Sequence, residues 1–172
     1  MPQFSATRDR PPPAVTGGFG EPTCQYCHFE AQLDAGSGKL TIDGVPDAYA
    51  AGATYTITLT LVHPGVVAAG FEIAARFEKS GAQAGMLAPE PDQTDRIEVT
   101  TETDVQYAHH LRAGTTPVAT DTARWRLLWT APADAGRIVF HAVGNAANGD
   151  DSPLGDFVYA ASASTRPHSP AH

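Results

Sequence analysis

The chain has 172 residues, of which 42% are hydrophobic, and this suits one folded domain of ordinary size and excludes disorder throughout. Lysine and arginine total 11 against 19 aspartate and glutamate residues, and no cluster of basic side chains could follow a phosphate backbone, so nucleic acid is not expected as a partner. No run of about 18 apolar residues exists, so we predict no transmembrane segment.

The first part of the chain is predicted to be an extended arm that covers residues 1–22. Three consecutive prolines at 11–13 and the run Gly17-Gly18-Phe19-Gly20 favour extended or turning backbone and offer little to bury. This start lacks the apolar core of a signal peptide. The sequence therefore leaves open a cytoplasmic protein or one whose leader has been removed.

The next segment, residues 23–36, contains both cysteines of the chain and a histidine directly after the second one. Cys24, Cys27 and His28 have the spacing C-x-x-C-H, which is the attachment signature of c-type haem. The chemistry requires this order because the two thiols add across the two vinyl groups of the porphyrin, which holds the adjacent histidine under the iron. We therefore predict one covalent haem c, with thioethers from Cys24 and Cys27 and with His28 as the proximal ligand of the iron.

Three other interpretations of the two cysteines stay open. A structural zinc site needs four ligands, and without a second cysteine pair it would require two histidines from elsewhere. A thioredoxin-like dithiol normally precedes a helix, whereas the residues after His28 run at once into glycines and a strand. A disulfide between such closely spaced cysteines is strained and adds little stability. Haem attachment is favoured over all three because the motif uses the whole cysteine complement of the chain.

After the motif, residues 37–161 are predicted to form the folded body. Apolar residues that are β-branched or aromatic recur with a period of two, and turn pairs such as Asp43-Gly44 and Asn148-Gly149 separate the runs. This pattern predicts an all-β, immunoglobulin-like antiparallel β-sandwich, followed by a flexible C-terminal tail over residues 162–172. The predicted strands are Lys39–Ile42, Tyr55–His63, Phe71–Phe77, Ile97–Val99, Asp104–His110, Ala123–Trp129, Arg137–Val143 and Phe157–Ala160.

A second axial ligand would decide the chemistry of a haem held by His28. Histidine gives a low-potential carrier and methionine a higher potential, whereas an open position permits ligand binding. His109 and His110 end a predicted strand, so their side chains point to opposite faces and only one can reach a haem. The remaining candidates are more readily explained as structural side chains or, in the tail, as mobile ones: His63, His141, Met86, His168 and His172.

Two further features of the sequence receive structural explanations. Trp125 and Trp129 lie four residues apart on one face of a predicted strand, which places both in the core between the sheets. The acidic stretch 148–152, together with Asp156, could hold calcium through carboxylate and carbonyl oxygens. It lacks the pattern of an EF-hand loop, so a solvated turn is favoured.

Several segments, taken in order along the chain, resemble a family of bacterial secreted β-sandwich proteins related to the reelin-type, or Reeler, domain. Some of these proteins carry C-x-x-C-H ahead of the sandwich. The resemblance implies a secreted or periplasmic location, where bacteria also attach haem to cysteines. It also selects His110 as the distal ligand, because relatives carry a histidine before the Ala-Gly turn, with His109 as the fallback. The matching segments are Gly20–His28, Tyr49–Tyr55, Gly70–Phe77, His110–Thr115, Trp125–Pro132 and Asn145–Asp150.

The motif and the resemblance together predict a monohaem c-type cytochrome that transfers electrons in the periplasm or outside the cell. Its expected partner is a redox protein, within a multi-subunit or membrane-associated complex. The sequence shows no arrangement of nucleophile, base and orienting residue, so enzymatic activity is not expected. The alternative is a non-catalytic adhesion or subunit module of a larger extracellular or membrane-associated respiratory assembly, in which C-x-x-C-H is a vestige or an anchor.

Overall fold

The computed structural model describes residues 9–26, 28, 31–150 and 155–169, which form two β-sheets packed face to face. Short 3-10 helices occur at Cys24–Tyr26, Pro91–Gln93 and Arg112–Thr115, and no helix in the described ranges is long and apolar enough to cross a membrane. The strands are β1 (Lys39–Asp43), β2 (Ala48–Tyr49), β3 (Thr54–Val62), β4 (Ala68–Phe77), β5 (Met86–Pro89), β6 (Ile97–Glu102), β7 (Val105–His110), β8 (Thr122–Thr130), β9 (Ile138–Ala147) and β10 (Phe157–Pro167).

The smaller sheet has four strands in the order β1-β3-β8-β5, and the larger sheet has six in the order β2-β10-β9-β4-β7-β6. The pairings between these strands are antiparallel, except that β2 runs parallel to β10. In the centre of the larger sheet, β4 and β9 pair continuously from Ala68 opposite Ala147 to Phe77 opposite Ile138. The predicted all-β sandwich is therefore confirmed.

The inner faces of the two sheets form the hydrophobic core, and alternation along the strands produces it. Alternate residues of β3 from Ile57 to Leu61 are fully buried, while the threonines between them remain partly exposed. Trp125 and Trp129 on β8 are fully buried, and their indole N–H groups donate hydrogen bonds to the carbonyls of Gly114 and Ala84. The core position predicted for both tryptophans is confirmed.

Strand β4 departs from simple alternation because it is buried on both faces. Alternate residues from Ala69 to Ala75 point into the core, and Gly70, Glu72 and Ala74 between them are buried as well. These outward-facing residues of β4 are small or, at Glu72, hydrogen-bonded, so another segment can lie directly on the sheet. That segment is the stretch from Ala14 to Glu21, which leads into the C-x-x-C-H motif.

The structure differs from the sequence prediction at three places. Strands β2 and β5 were not predicted, because they are too short for an alternating pattern to be visible. Strand β10 continues to Pro167, so residues 162–167 belong to the larger sheet and not to a flexible tail. The arm was expected to bury little, yet Val15 and Thr16 are 4% and 3% exposed against the sheet.

Candidate functional site

A cluster of polar side chains holds the N-terminal arm on the outer face of the larger sheet. The Glu21 carboxylate accepts hydrogen bonds from Thr16 Oγ1 and Tyr107 Oη, each at 2.5 Å, and from Arg76 Nη1 at 2.7 Å. Burial and the bond to Glu21 raise the pKa of Tyr107, so its phenol stays a donor. The Arg76 guanidinium also lies 4.4 Å from the ring centroid of Phe19. These contacts join the arm to β4 and β7 and fix where the motif begins.

A buried carboxyl group, Glu72, receives the arm further along β4. Its Oε1 accepts a hydrogen bond from the Val15 amide at 2.7 Å, whereas its Oε2 is buried without a hydrogen-bond partner among the described residues. Burial raises the pKa of Glu72 to about 8, and the nearby charge of Glu21 also raises it. The carboxyl group is therefore protonated at neutral pH, which avoids the cost of a buried charge beneath the arm.

The motif segment begins with a tight turn. Cys24 starts the short 3-10 helix, and the His28 amide donates a hydrogen bond to the Cys24 carbonyl at 3.0 Å. The side-chain amide of Gln25 donates to the Ala31 carbonyl at 2.8 Å, which ties the turn to the chain that follows. Cys27, the second predicted thioether residue, lies outside the described residues. The turn therefore holds the backbones of Cys24 and His28 in direct contact.

His28 lies against two polar residues of the larger sheet. Its Nδ1 is 2.7 Å from Oδ2 of Asp156, immediately before β10, and its Nε2 is 3.5 Å from Nδ2 of Asn145 on β9. The first distance is that of a charge-assisted contact, although the N–H direction falls outside hydrogen-bond geometry. A carboxylate beside Nδ1 favours a proton on that nitrogen and leaves the lone pair on Nε2.

His110 is buried at the end of β7 and packs against Gly70. The Phe71 amide donates a hydrogen bond to His110 Nδ1 at 3.0 Å, and the Phe71 carbonyl lies 3.3 Å from the same nitrogen. Burial lowers the pKa of His110 to about 4, and the charges of His109 and His28 lower it as well. The imidazole is therefore neutral at physiological pH, which is the state that binds a metal.

The two histidines approach neighbouring positions on the sheet. His110 packs on Gly70 and His28 on Asn145, and these two residues are direct cross-strand partners of β4 and β9. The structure thus places the predicted proximal and distal ligands against neighbouring positions of the sheet, although they are far apart in sequence.

His109 and His141 have surroundings that differ from those of His28 and His110. His109 is 1% exposed; its Nδ1 lies 3.1 Å from the His110 carbonyl and its Nε2 lies 3.8 Å from Glu98. His141, explained from sequence as a structural side chain, meets the Phe19 ring edge-on, with centroids 5.6 Å apart. Burial lowers the pKa of both His109 and His141.

The remaining predicted candidates lie away from His28. His63 Nδ1 and Tyr159 Oη share a 2.8 Å hydrogen bond, as expected of a structural histidine. Met86 is 65% exposed on β5 of the smaller sheet, so it does not share a face with His28. In the acidic stretch, the Asn148 amide donates to Asp156 Oδ1 at 3.2 Å, so Asp156 supports the loop and His28. Residues 151–154 lie outside the described residues.

Haem c is the group that the motif implies, and the donor set fits it. Imidazole is a common ligand of haem iron, and His28 and His110 are the two side chains that would hold it. The part of the chain that the structure describes contains no group of three or more His, Cys, Asp or Glu side chains that could hold a metal ion. This patch also contains two buried polar atoms that have no hydrogen-bond partner among the described residues. They are His28 Nδ1 and Asn145 Oδ1.

Sequence reasoning did not identify the residues that support these histidines. Asp156 lies in a stretch predicted as a solvated turn, and Asn145 lies after the predicted strand Arg137–Val143, so their contacts with His28 arise only from tertiary folding. Gly70 gave no signal, because its role is to leave space for a ring. Glu72 could have been noticed as the single charge inside the apolar run Gly70–Ala75.

Comparison with known proteins bears on the fold. No protein-family profile matches the chain, and no curated protein sequence matches it. Among solved structures, the Reelin-N domain of F-spondin is 18% identical, with a TM-score of 0.55 over 85% of this chain and 98% of that one. The fold is Reeler-like. This confirms the resemblance at the level of the fold.

Two other structures show how general this Reeler-like sandwich is. The reeler domain of human F-spondin is 18% identical, with a TM-score of 0.51 over 76% of this chain and 89% of that one. A cohesin module from a Clostridium perfringens family 33 glycoside hydrolase is 12% identical, with a TM-score of 0.51 over 76% of this chain and 96% of that one. At these identities the similarity concerns the sandwich alone, so function has to be argued from the site.

Proposed function

We propose that this Reeler-like chain is a monohaem c-type cytochrome that transfers electrons in the periplasm or outside the cell. Cys24 and Cys27 would form the thioethers, and His28 and His110 would be the axial ligands. The observation that carries the proposal is the approach of His28 and His110 to the cross-strand pair Gly70 and Asn145. C-x-x-C-H accounts for one side of an iron, and His110 supplies a ligand for the other.

Each ligand has a protein group at its second ring nitrogen. Asp156 lies beside Nδ1 of His28, so Nε2 would be the nitrogen for the iron, in place of its 3.5 Å contact with Asn145 Nδ2. His110 accepts the Phe71 amide at Nδ1 in the structure, so its proton is on Nε2. Ligation through Nε2 requires that proton to move to Nδ1, where the Phe71 carbonyl at 3.3 Å can accept it. Phe71 therefore offers a backbone partner to both tautomers.

The arm would shield this side of the sheet from water. Glu21 and Arg76 fix the arm above β4, and Val15 is buried against the sheet. A bound haem would supply a one-electron couple between ferric and ferrous iron. His28 and His110 would both hold the iron, and a pair of histidine ligands suits electron transfer to a redox protein.

Covalent attachment is the direct test of the proposed function. The chain should be produced in a bacterial periplasm with haem-attachment machinery, then denatured and extracted with acidified acetone. We expect haem to stay with the polypeptide, and the double variant Cys24→Ala/Cys27→Ala to be colourless. The His110→Ala variant should keep its haem but become high-spin and bind carbon monoxide in the ferrous form. A colourless wild-type chain with two reactive thiols would contradict the proposal.

The second candidate is a non-catalytic adhesion or subunit module of a larger extracellular or membrane-associated assembly. The fold favours it, because the chain shares its sandwich with reeler domains and a cohesin module. The two candidates separate in the Cys24→Ala/Cys27→Ala variant. An adhesion module would bind its protein partner as well as the wild type does, whereas a cytochrome would lose electron transfer to it.

A further inference from the structure

Asp156 is held more firmly than a solvated turn residue would be. It is 2% exposed, and its Oδ1 accepts a hydrogen bond from the Asn148 amide at 3.2 Å. Its Oδ2 accepts a weaker one from Asn145 Nδ2 at 3.4 Å and lies 2.7 Å from His28 Nδ1. No lysine or arginine of the described residues forms an ion pair with this carboxylate. The titratable side chain within ion-pair distance of this carboxylate is His28.

A buried carboxylate at Nδ1 has two physical effects on a histidine ligand. It orients the ring, because turning Nδ1 away would leave the buried oxygen with only the weaker contact from Asn145 Nδ2 at 3.4 Å. It also makes Nε2 a stronger electron donor, because a negative charge 2.7 Å from Nδ1 stabilises positive charge on the ring. Both the added negative charge and the stronger donor stabilise ferric over ferrous iron, since the ferric ion carries one more positive charge.

We propose that Asp156 is the positioning residue of His28, fixing Nε2 as the ligating nitrogen and lowering the reduction potential of the haem. This inference rests on the proposed function, because it requires a haem on His28. Asn145 and the Asn148 amide complete the arrangement by keeping the carboxylate in place. The loop before β10 thereby influences the reduction potential of the haem.

The test compares the wild-type holoprotein with Asp156→Asn, which keeps the shape of the side chain but removes its charge. Asp43→Asn is the matched control, because Asp43 lies exposed on β1 of the other sheet. The midpoint potential of each protein is measured by spectroelectrochemical titration at neutral pH. We expect Asp156→Asn to shift the ferric-to-ferrous equilibrium at least tenfold toward ferrous, a rise of about 59 mV for one electron. Asp43→Asn should leave the potential unchanged.

A second measurement separates an electronic role from a purely structural one. In a His110→Ala background the ferrous iron keeps only His28, so the iron–histidine stretching band in resonance Raman reports its donor strength. We expect Asp156→Asn to lower the frequency of this band. If that variant yields no folded holoprotein, Asp156→Glu is used, which keeps the charge at another distance and should shift both readouts less.

The outcomes distinguish the inference from the proposed function. A wild-type chain without covalent haem would overturn both. Haem in every variant, with the potential and the stretching band of the Asp156 variants equal to those of the wild type, would overturn the role of Asp156 and leave the cytochrome intact. A loss of thermal stability with an unchanged potential would assign Asp156 to the fold alone.

Discussion

Replacing Gly70 with alanine tests the placement of His110 without altering a ligand. A Cβ atom at position 70 would lie 2.5 Å from Cε1, 2.8 Å from Nδ1 and 3.1 Å from Nε2 of His110. Gly70 lies within strand β4, so alanine adds volume without backbone strain. The imidazole must move, which breaks the hydrogen bond from the Phe71 amide. Overpacking costs about 1–3 kcal/mol and the lost bond about 1 kcal/mol, so we expect a destabilisation of about 2–4 kcal/mol.

Two measurements check this expectation. Urea unfolding followed by circular dichroism gives the loss of stability, and the absorption spectrum of the holoprotein gives the ligation state. Gly70→Ala should move the ferric spectrum toward high spin and let the ferrous form bind carbon monoxide. Gly144→Ala is the matched control, because its Cβ would face the core and meet only the flexible ends of Leu40 at 3.2 Å and Leu61 at 3.5 Å. A Gly70→Ala protein that stays low-spin and does not bind carbon monoxide would refute the distal role of His110.

Three further predictions concern the arm and the motif. Folded protein keeps the Glu72 proton up to about pH 8, whereas the unfolded chain loses it near 4.5, so stability should fall as pH rises through that window, by about 1.4 kcal/mol per pH unit from this group. Urea unfolding of Glu72→Gln between pH 5 and 8 should lack this slope, and an identical slope would contradict it. Cys24→Ala/Cys27→Ala should keep a β-rich circular dichroism spectrum, because the core lies downstream; a collapsed spectrum would show that the motif is needed for folding. Arg76→Met removes the bond to Glu21, so thermolysin should cut the arm faster, which mass spectrometry would show.

The sandwich could be predicted from sequence because its signal is local. A strand with one buried face alternates in sequence, and both tryptophans on β8 follow that rule. The rule fails where a strand has two buried faces or none. Strand β4 is covered on its outer side by the arm, and the small residues of β10 after Ala161 read as a tail although they pair with β9.

Only the C-x-x-C-H part of the candidate site could be predicted from the residues themselves. C-x-x-C-H is a contiguous motif whose chemistry fixes the order of its residues, so Cys24 and His28 could be identified from their spacing. The resemblance to the Reeler-related family selected His110 as the second ligand, because strand geometry alone does not distinguish His110 from His109. The supports have no local signature: Asp156 contacts His28 across the sheet, and Gly70 acts through the absence of a side chain.

The location of the site on the outer face explains how the arm could prepare it. Ordering a loop costs about 1–2 kcal/mol of backbone entropy per residue, and a ligand that had to order residues 14–28 by itself would bind more weakly by that sum. The arm is already fixed by Glu21 on Arg76 and by the Val15 amide on Glu72, none of which belongs to the ligand set. The arm that leads to His28 is therefore positioned by contacts that the protein makes on its own. Those contacts lie outside the core between the sheets. The ligand residues of the site can therefore be substituted without removing the interactions that hold the sandwich together.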